Sequence, residues 1–239
     1  MVFARFDAEA TFNTGDITSH GTVSQWDRHL STLAEAAPDP AVPEDPLGIV
    51  RQSLLRTDVA DFGPWIRYIG VLGNHDDNNG EWFGSWNTYL PGQRSLGSNA
   101  VDGIYFTLSY GNALIIVLDS VNPSEEQTRW LEEVLDGEEA QEAEWTMAFY
   151  HHPVYHCNNQ HPYVEGLEWV DLFEQHQVDV VFVAHSHTYE RTCPMIGGRC
   201  AEGGVVYLNS SAAGAPVRTI VADRRTTIEH DGRSDLLDC

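Results

Sequence analysis

VDVVFVAHSH, residues 178–187, runs from an unbroken apolar stretch straight into two histidines. A strand that is apolar at consecutive positions is covered on both faces, as in a sheet layered between helices. Three other stretches have the same form. FNTGD at 12–16, VLGNHD at 71–76 and AFYHHP at 148–153 each carry an apolar run into Asp, Asn or His.

Working outward, strand-length runs alternate with segments of helical period. Residues 10–14 read as a strand, and 24–36 as a helix with Trp26, Leu30 and Leu33 on one face. Four prolines make 38–46 a loop, followed by a helix over about 46–57 and a strand over 66–72. Residues 103–119 form a hairpin turning at Gly111-Asn112. Ser124, with Gln127 three residues on, opens a capping-box helix that reaches Leu135. Residues 137–144 are a charged loop or a frayed helix end. Strands at 145–150, 178–184 and 205–208 and a helix at 166–176 complete the pattern, while the Arg- and Asp-rich segment 218–239 does not read as strand. The fold class is therefore α/β. In such folds ligands bind beyond the carboxyl ends of strands, where all four polar motifs lie.

At 239 residues the chain is long enough for a full core and is expected to form one domain, 1–239. Its formal net charge of −23 sets 36 acidic residues against 13 basic ones, all of them Arg. Such a surface repels phosphate backbones, so neither nucleic acid nor an anionic membrane is an expected partner. No stretch reaches the roughly 20 apolar residues of a membrane span, and MVFARFDAEATF shows no signal peptide. The four cysteines contain no Cys-x-x-Cys pair. Cys193 and Cys200 bracket a turn-rich segment that favours a local disulfide, hence an oxidising, secretory-type compartment. Cys157 and Cys239 are free or paired.

The motifs have distinct chemical uses. A lone Gly15-Asp16 marks a turn, but among metal-type residues Asp16 suits a carboxylate that bridges two ions. Asn74 offers a neutral oxygen ligand where another negative charge would over-neutralise the metals. Beside it stands His75, and an imidazole is the side-chain type suited to protonating a leaving alkoxide. In His151-His152-Pro153 the first histidine is the expected ligand, and His152 is expected on the opposite side in a structural role. His185 and His187, two apart on an extended chain, project to one face and suit adjacent metals.

Together these residues resemble the calcineurin-like metallophosphoesterases, and within them the purple acid phosphatases. The resemblance runs from Gly15-Asp16 through GNHD, YFTLSYGNALIIVLDS, EEQTRWLEEVL, YHHPVY and VDVVFVAHSHTYER to VVYLNSSAAG. Tyr189-Glu190-Arg191 points to the acid phosphatase branch. It implies a two-sheet β-sandwich flanked by helices and a binuclear centre of Fe, Zn or Mn. Asp16 would bridge the metals, with Asn74, His151 and His185 completing one site and His187 belonging to the other. His75 would be the proton donor and His161 a substrate-facing histidine.

Three positions depart from the family pattern. Only fifteen residues precede Asp16, so the family's first-strand Asp motif is missing and the chain reads as lacking that strand. Ser19 stands where the family has a tyrosine ligand, with His20 next to it, and Ala184 replaces a glycine. After Gly214 the family continues in further strands, so the C-terminus reads as incomplete too. The implied reaction is hydrolysis of a phosphate monoester by a metal-bound hydroxide. The alternatives are phosphodiester or pyrophosphate hydrolysis at the same site, and a truncated relative with impaired metal binding.

Overall fold

The structure, a computed structural model, describes residues 10–26, 28–29, 67–76, 104–156, 167–211, 216, 228–230 and 233–235. The expected proline loop at 38–46, the helix at 46–57, His161, Cys157 and Cys239 lie outside these residues. Of the helix expected at 24–36, residues 24–26 and 28–29 are described, and they are helical. The chain forms two compact units, Met1–Phe106 and Thr107–Cys239.

In the first unit β1 (Ala10–Asn13) pairs in parallel with β2 (Arg67–Gly70), Ala10 opposite Arg67 and Asn13 opposite Gly70. The ladder continues one step, Val71 N donating to Asn13 O at 2.8 Å. Because the strands are parallel, the loops that follow both leave at the same edge. Those loops are close enough that a Cβ on Gly73 would overlap the N and Oδ1 of Asp16 and stand 2.8 Å from the carbonyl carbon of Gly15. Glycine is required here by space. Trp26, Ile69, Val71 and Leu72 are buried.

The second unit is built on a six-stranded mixed sheet in the order β3-β4-β5-β6-β10-β7. Its strands are β3 (Phe106–Tyr110), β4 (Ala113–Val117), β5 (Trp145–Phe149), β6 (Val180–Val183), β7 (Tyr189–Arg191) and β10 (Val206–Ser210). β4, β5, β6 and β10 run parallel, and β7 closes the sheet antiparallel to β10. Gly111, at a φ of 61°, allows the tight connection from β3 to β4. Helices α1 (Glu125–Asp136), α2 (Glu138–Glu142) and α3 (Leu167–Gln175) lie between the parallel strands in sequence.

One sheet face presents Leu114, Ile116, Ala148, Tyr150, Val181 and Val183 to a core shared with Leu131, Leu135, Trp169 and Phe173 of α1 and α3. The opposite face is also buried at Ile115, Val117 and Phe149, with Phe149 stacked on Phe182 at 4.6 Å. Both faces are covered, as the unbroken apolar runs require. The expected α/β class stands, in the form of a mixed sheet flanked by helices.

Ser124 caps α1 by accepting from Gln127 N at 3.2 Å. The Gln127 side chain does not close the capping box. It exchanges two bonds with the backbone of Asp119, accepting from its N at 2.7 Å and donating to its O at 3.0 Å. The charged stretch after α1 forms the short helix α2.

Two small hairpins were not legible as strands. β8 (Met195–Ile196) and β9 (Arg199–Cys200) turn through Gly197 and Gly198, both at positive φ, and Cys193 is disulfide-bonded to Cys200 as expected. β11 (Ile228–His230) pairs antiparallel with β12 (Arg233–Asp235), correcting the reading of 218–239 as strand-free. The signal there was the Asp231-Gly232 dipeptide, which favours a hairpin turn even between polar flanks.

Candidate metal centre

In the first unit both candidate loops leave the carboxyl edge of the β1–β2 pair. Asn13 Oδ1 accepts from Gly15 N at 3.0 Å, a local turn that leads into Gly15 at a φ of 100° and Asp16 at 53°. Asp16 Oδ1 accepts from His75 N at 2.9 Å, joining the Gly-Asp loop to the Asn-His loop. Asn74 and His75 are exposed and Asp16 is half-buried. His75 Nδ1 lies 3.0 Å from the Ser19 carbonyl, which can only accept. Nδ1 therefore carries a proton, and the exchangeable proton of the ring is the one on Nε2. Ser19 contributes its backbone carbonyl to this loop. His20 is turned toward Gln25, whose Oε1 accepts from the His20 backbone N at 2.8 Å.

Asp76 holds the two loops from beneath. It is buried and accepts from Thr18 N at 2.8 Å and Gly73 N at 3.0 Å. Burial raises its pKa from 3.8 to about 6, with the nearby Asp16 charge pushing the same way and the backbone donors opposing.

In the second unit the parallel strands bring their carboxyl ends to one edge, and the backbone ladder runs past the strand ends. Leu118 N donates to Phe149 O, Tyr150 N to Phe182 O, and Ala184 N to His151 O at 2.9 Å. That register delivers His151, His152 and His185 to one place, each with a ring nitrogen within 4.8 Å of the others. His151 Nε2 lies 3.0 Å from His185 Nδ1, and the two rings stand nearly perpendicular. Two imidazoles bound cis to one ion at about 2.05 Å have their nitrogens ~2.9–3.3 Å apart, so the observed spacing fits a shared cation. Buried neutral nitrogen donors suit Zn, Fe, Cu or Ni over Mg or Ca.

Ser120, just past β4, organises the pair. Its Oγ accepts from His151 N at 3.2 Å and His152 N at 2.9 Å. Its carbonyl faces His152 Nδ1 at 2.9 Å, which puts the His152 proton on Nδ1 and a lone pair on Nε2. His152 was expected on the far side of a strand. Residues 151–152 instead form a bend, strand alternation fails there, and the His152 ring comes within 4.7 Å of His185.

His185 and His187 also sit in a bend and not on an extended chain, with φ of 66° and 58°. His187 is outside the three-histidine group; its Nδ1 lies 3.2 Å from Pro216 O. Four non-glycine residues have positive φ among the described residues: Asp16, His185, His187 and Gln177. Gln177 lies two residues past α3, an ordinary place for a left-handed residue. The other three are candidate ligands, and strain concentrated in this way marks functional loops. The sequence reading missed Asp76 and Ser120 as organisers. Their signal was position alone, a polar residue within a few residues of a buried strand's end.

A family model described as calcineurin-like phosphoesterase matches residues 3–189. The phosphoenolpyruvate phosphatase of Allium cepa is 31% identical over 144 residues, covering 55% of this chain and 29% of that protein. The purple acid phosphatase of Glycine max is 29% identical over 143 residues, covering 55% and 30%. The chain thus spans about a third of the length of such curated relatives. Among solved structures, a purple acid phosphatase from yellow lupin (Lupinus luteus) seeds superimposes with a TM-score of 0.59 at 16% identity, over 89% of this chain and 38% of that one. A dimetal phosphatase from Danio rerio gives 0.54 at 16% identity, over 90% and 76%. At that identity the superpositions speak for the fold, and the family model speaks for descent. The chain belongs to the calcineurin-like phosphoesterase family.

Proposed function

We propose that this chain hydrolyses phosphate monoesters with two ions drawn from Fe, Zn and Mn, using Asp16, Asn74, His151, His185 and His187 as ligands and His75 as proton donor. The observation that carries the reading is the 3.0 Å approach of His151 Nε2 to His185 Nδ1 at the carboxyl edge of a parallel sheet. The tautomer of His152, set by the Ser120 carbonyl, adds a third imidazole donor to that cluster. When bound, the ions supply Lewis acidity toward a phosphoryl oxygen and acidify water. Asp16 fixes the His75 backbone through Oδ1, and the Ser19 carbonyl holds Nδ1–H. His75 then passes a proton from Nε2 of its imidazolium form to the departing alkoxide.

A monoester substrate is favoured by the names of the relatives, a phosphoenolpyruvate phosphatase and a purple acid phosphatase. His161 enters as a substrate-facing residue on family resemblance alone. The Cys193–Cys200 bond supports an oxidising compartment. No described helix is long and apolar enough to cross a membrane.

The test is metal analysis by mass spectrometry together with hydrolysis of p-nitrophenyl phosphate and bis(p-nitrophenyl) phosphate. Expected are bound metal, faster turnover of the monoester, loss of activity in EDTA, and a drop of at least about 100-fold in kcat/KM for His151→Ala and His185→Ala. Preference for the diester moves the assignment to phosphodiesterase. Metal-free protein without turnover of either compound ends the proposal.

A further inference from the structure

Tyr189-Glu190-Arg191 supplies neither ligand nor acid in the reading above, yet Glu190 is a carboxylate only 3% exposed. It lies on β7 directly opposite Asn209 of β10. Burial alternates through the loop before it: Ser186, Thr188 and Glu190 are inside, while His185, His187 and Tyr189 are more open. Glu190 Oε1 accepts from the Thr188 hydroxyl and, at 3.3 Å, from Ser186 Oγ. Asn209 Nδ2 donates to the same Ser186 Oγ, and Ser186 and Thr188 hydroxyls touch each other. Ser211, just past β10, accepts from Thr188 N at 3.2 Å and donates to Thr188 O at 3.3 Å.

We infer that Glu190 is a positioning residue for metal binding, holding His185 and His187 in their left-handed conformations by gripping the two hydroxyls that alternate with them. A single carboxylate oxygen, Oε1, is thus the common acceptor of both hydroxyls. Each non-glycine residue at positive φ persists only where its surroundings over-determine it. Here the hydroxyls of residues 186 and 188 are pinned inward, which leaves the imidazoles of 185 and 187 turned outward. Without the carboxylate both hydroxyls lose their common acceptor, and the loop is released to relax toward ordinary φ values, separating His185 from His151. The same network accounts for the LNSS segment at 208–211, whose Asn and second Ser complete the clamp. This inference rests on the metal reading of the histidines.

The experiment is calorimetric titration of the full chain, stripped with EDTA, with Zn2+, alongside circular dichroism and thermal melting. Glu190→Ala is expected to keep the native circular dichroism spectrum and to weaken Zn2+ binding about 10- to 100-fold. Glu190→Gln, which keeps an acceptor oxygen, is expected to stay within about fivefold of wild type. Thr192→Val serves as a control. It removes the acceptor of Tyr207 N in the same strand pair and lowers the melting temperature without touching the clamp, so Zn2+ affinity should not change.

Glu190→Ala binding Zn2+ as tightly as wild type overturns the inference and leaves the metal reading intact. So does an equal loss in Thr192→Val, because general destabilisation then explains the effect. Wild-type protein that binds no Zn2+ overturns both. If Glu190→Ala does not fold, Thr188→Val decides: it keeps shape and removes one donor, and unchanged affinity in that variant overturns the inference.

Discussion

Asp76 ties Thr18 and Gly73 together beneath Asp16 and His75. Its pKa, raised by burial to about 6, makes its contribution pH-dependent. An acid whose folded pKa lies above its unfolded value stabilises fully below the unfolded value, and that stability is lost as pH rises through the folded one. The window here is from about 4 to about 6. In urea denaturation of EDTA-treated protein, wild type should lose about 3 kcal/mol relative to Asp76→Asn between pH 4 and pH 7. A flat difference across that range contradicts the assignment. Gly73→Ala is argued from space alone. Its Cβ would overlap Asp16 N and Oδ1, so the loops must separate, at a cost of about 2–3 kcal/mol in the same measurement and with loss of metal binding. The positions of Asp16, Asn74, His75, His151, His185 and His187 just past strand ends were legible from sequence. Asp76 and Ser120 were not, because their roles depend on bonds to Thr18, 58 residues away, and to His151 and His152, more than thirty residues away.

At the level of elements, the site in the second unit is a product of parallel pairing. β4, β5 and β6 end in register, so the Ser120 turn, His151 and His185 meet at one edge. The helices behind the sheet hold that register. Trp169 of α3 is fully buried, packs edge-on against Tyr150 at 5.4 Å and donates to Thr128 Oγ1 of α1 at 3.0 Å. Tyr150 immediately precedes His151. Trp169→Ala should therefore destabilise by about 4 kcal/mol in denaturant melts. It should also weaken metal binding beyond what a distant core truncation does; unchanged metal affinity would show that the helix does not transmit to the strand end. The strands were legible because apolar runs of this length have few alternatives. The bends after them were not, and they decide where side chains point. Reading His152 as opposite to His151 assumed that strand geometry continued past Phe149, whereas β5 stops there.

Across the molecule, a formal charge of −23 on 239 residues means that folding gathers like charges together. Screening relieves that repulsion, so raising NaCl from about 0.01 to about 0.5 M should increase the melting temperature by several degrees in differential scanning fluorimetry. A decrease would mean that specific ion pairs outweigh the net repulsion. The sequence by itself determined the α/β class, the places where strands end and the residue types found there, because hydrophobic periodicity and the chemistry of Asp, Asn and His are local properties of the chain. It also placed the Cys193–Cys200 bond, whose partners are close along the backbone. Only the tertiary structure decided that His152 joins His151 and His185, that Asp16, His185 and His187 sit at positive φ, and that Glu190 grips the loop between the last two. Those outcomes depend on register between strands far apart in sequence and on bonds that close only when the sheet has formed.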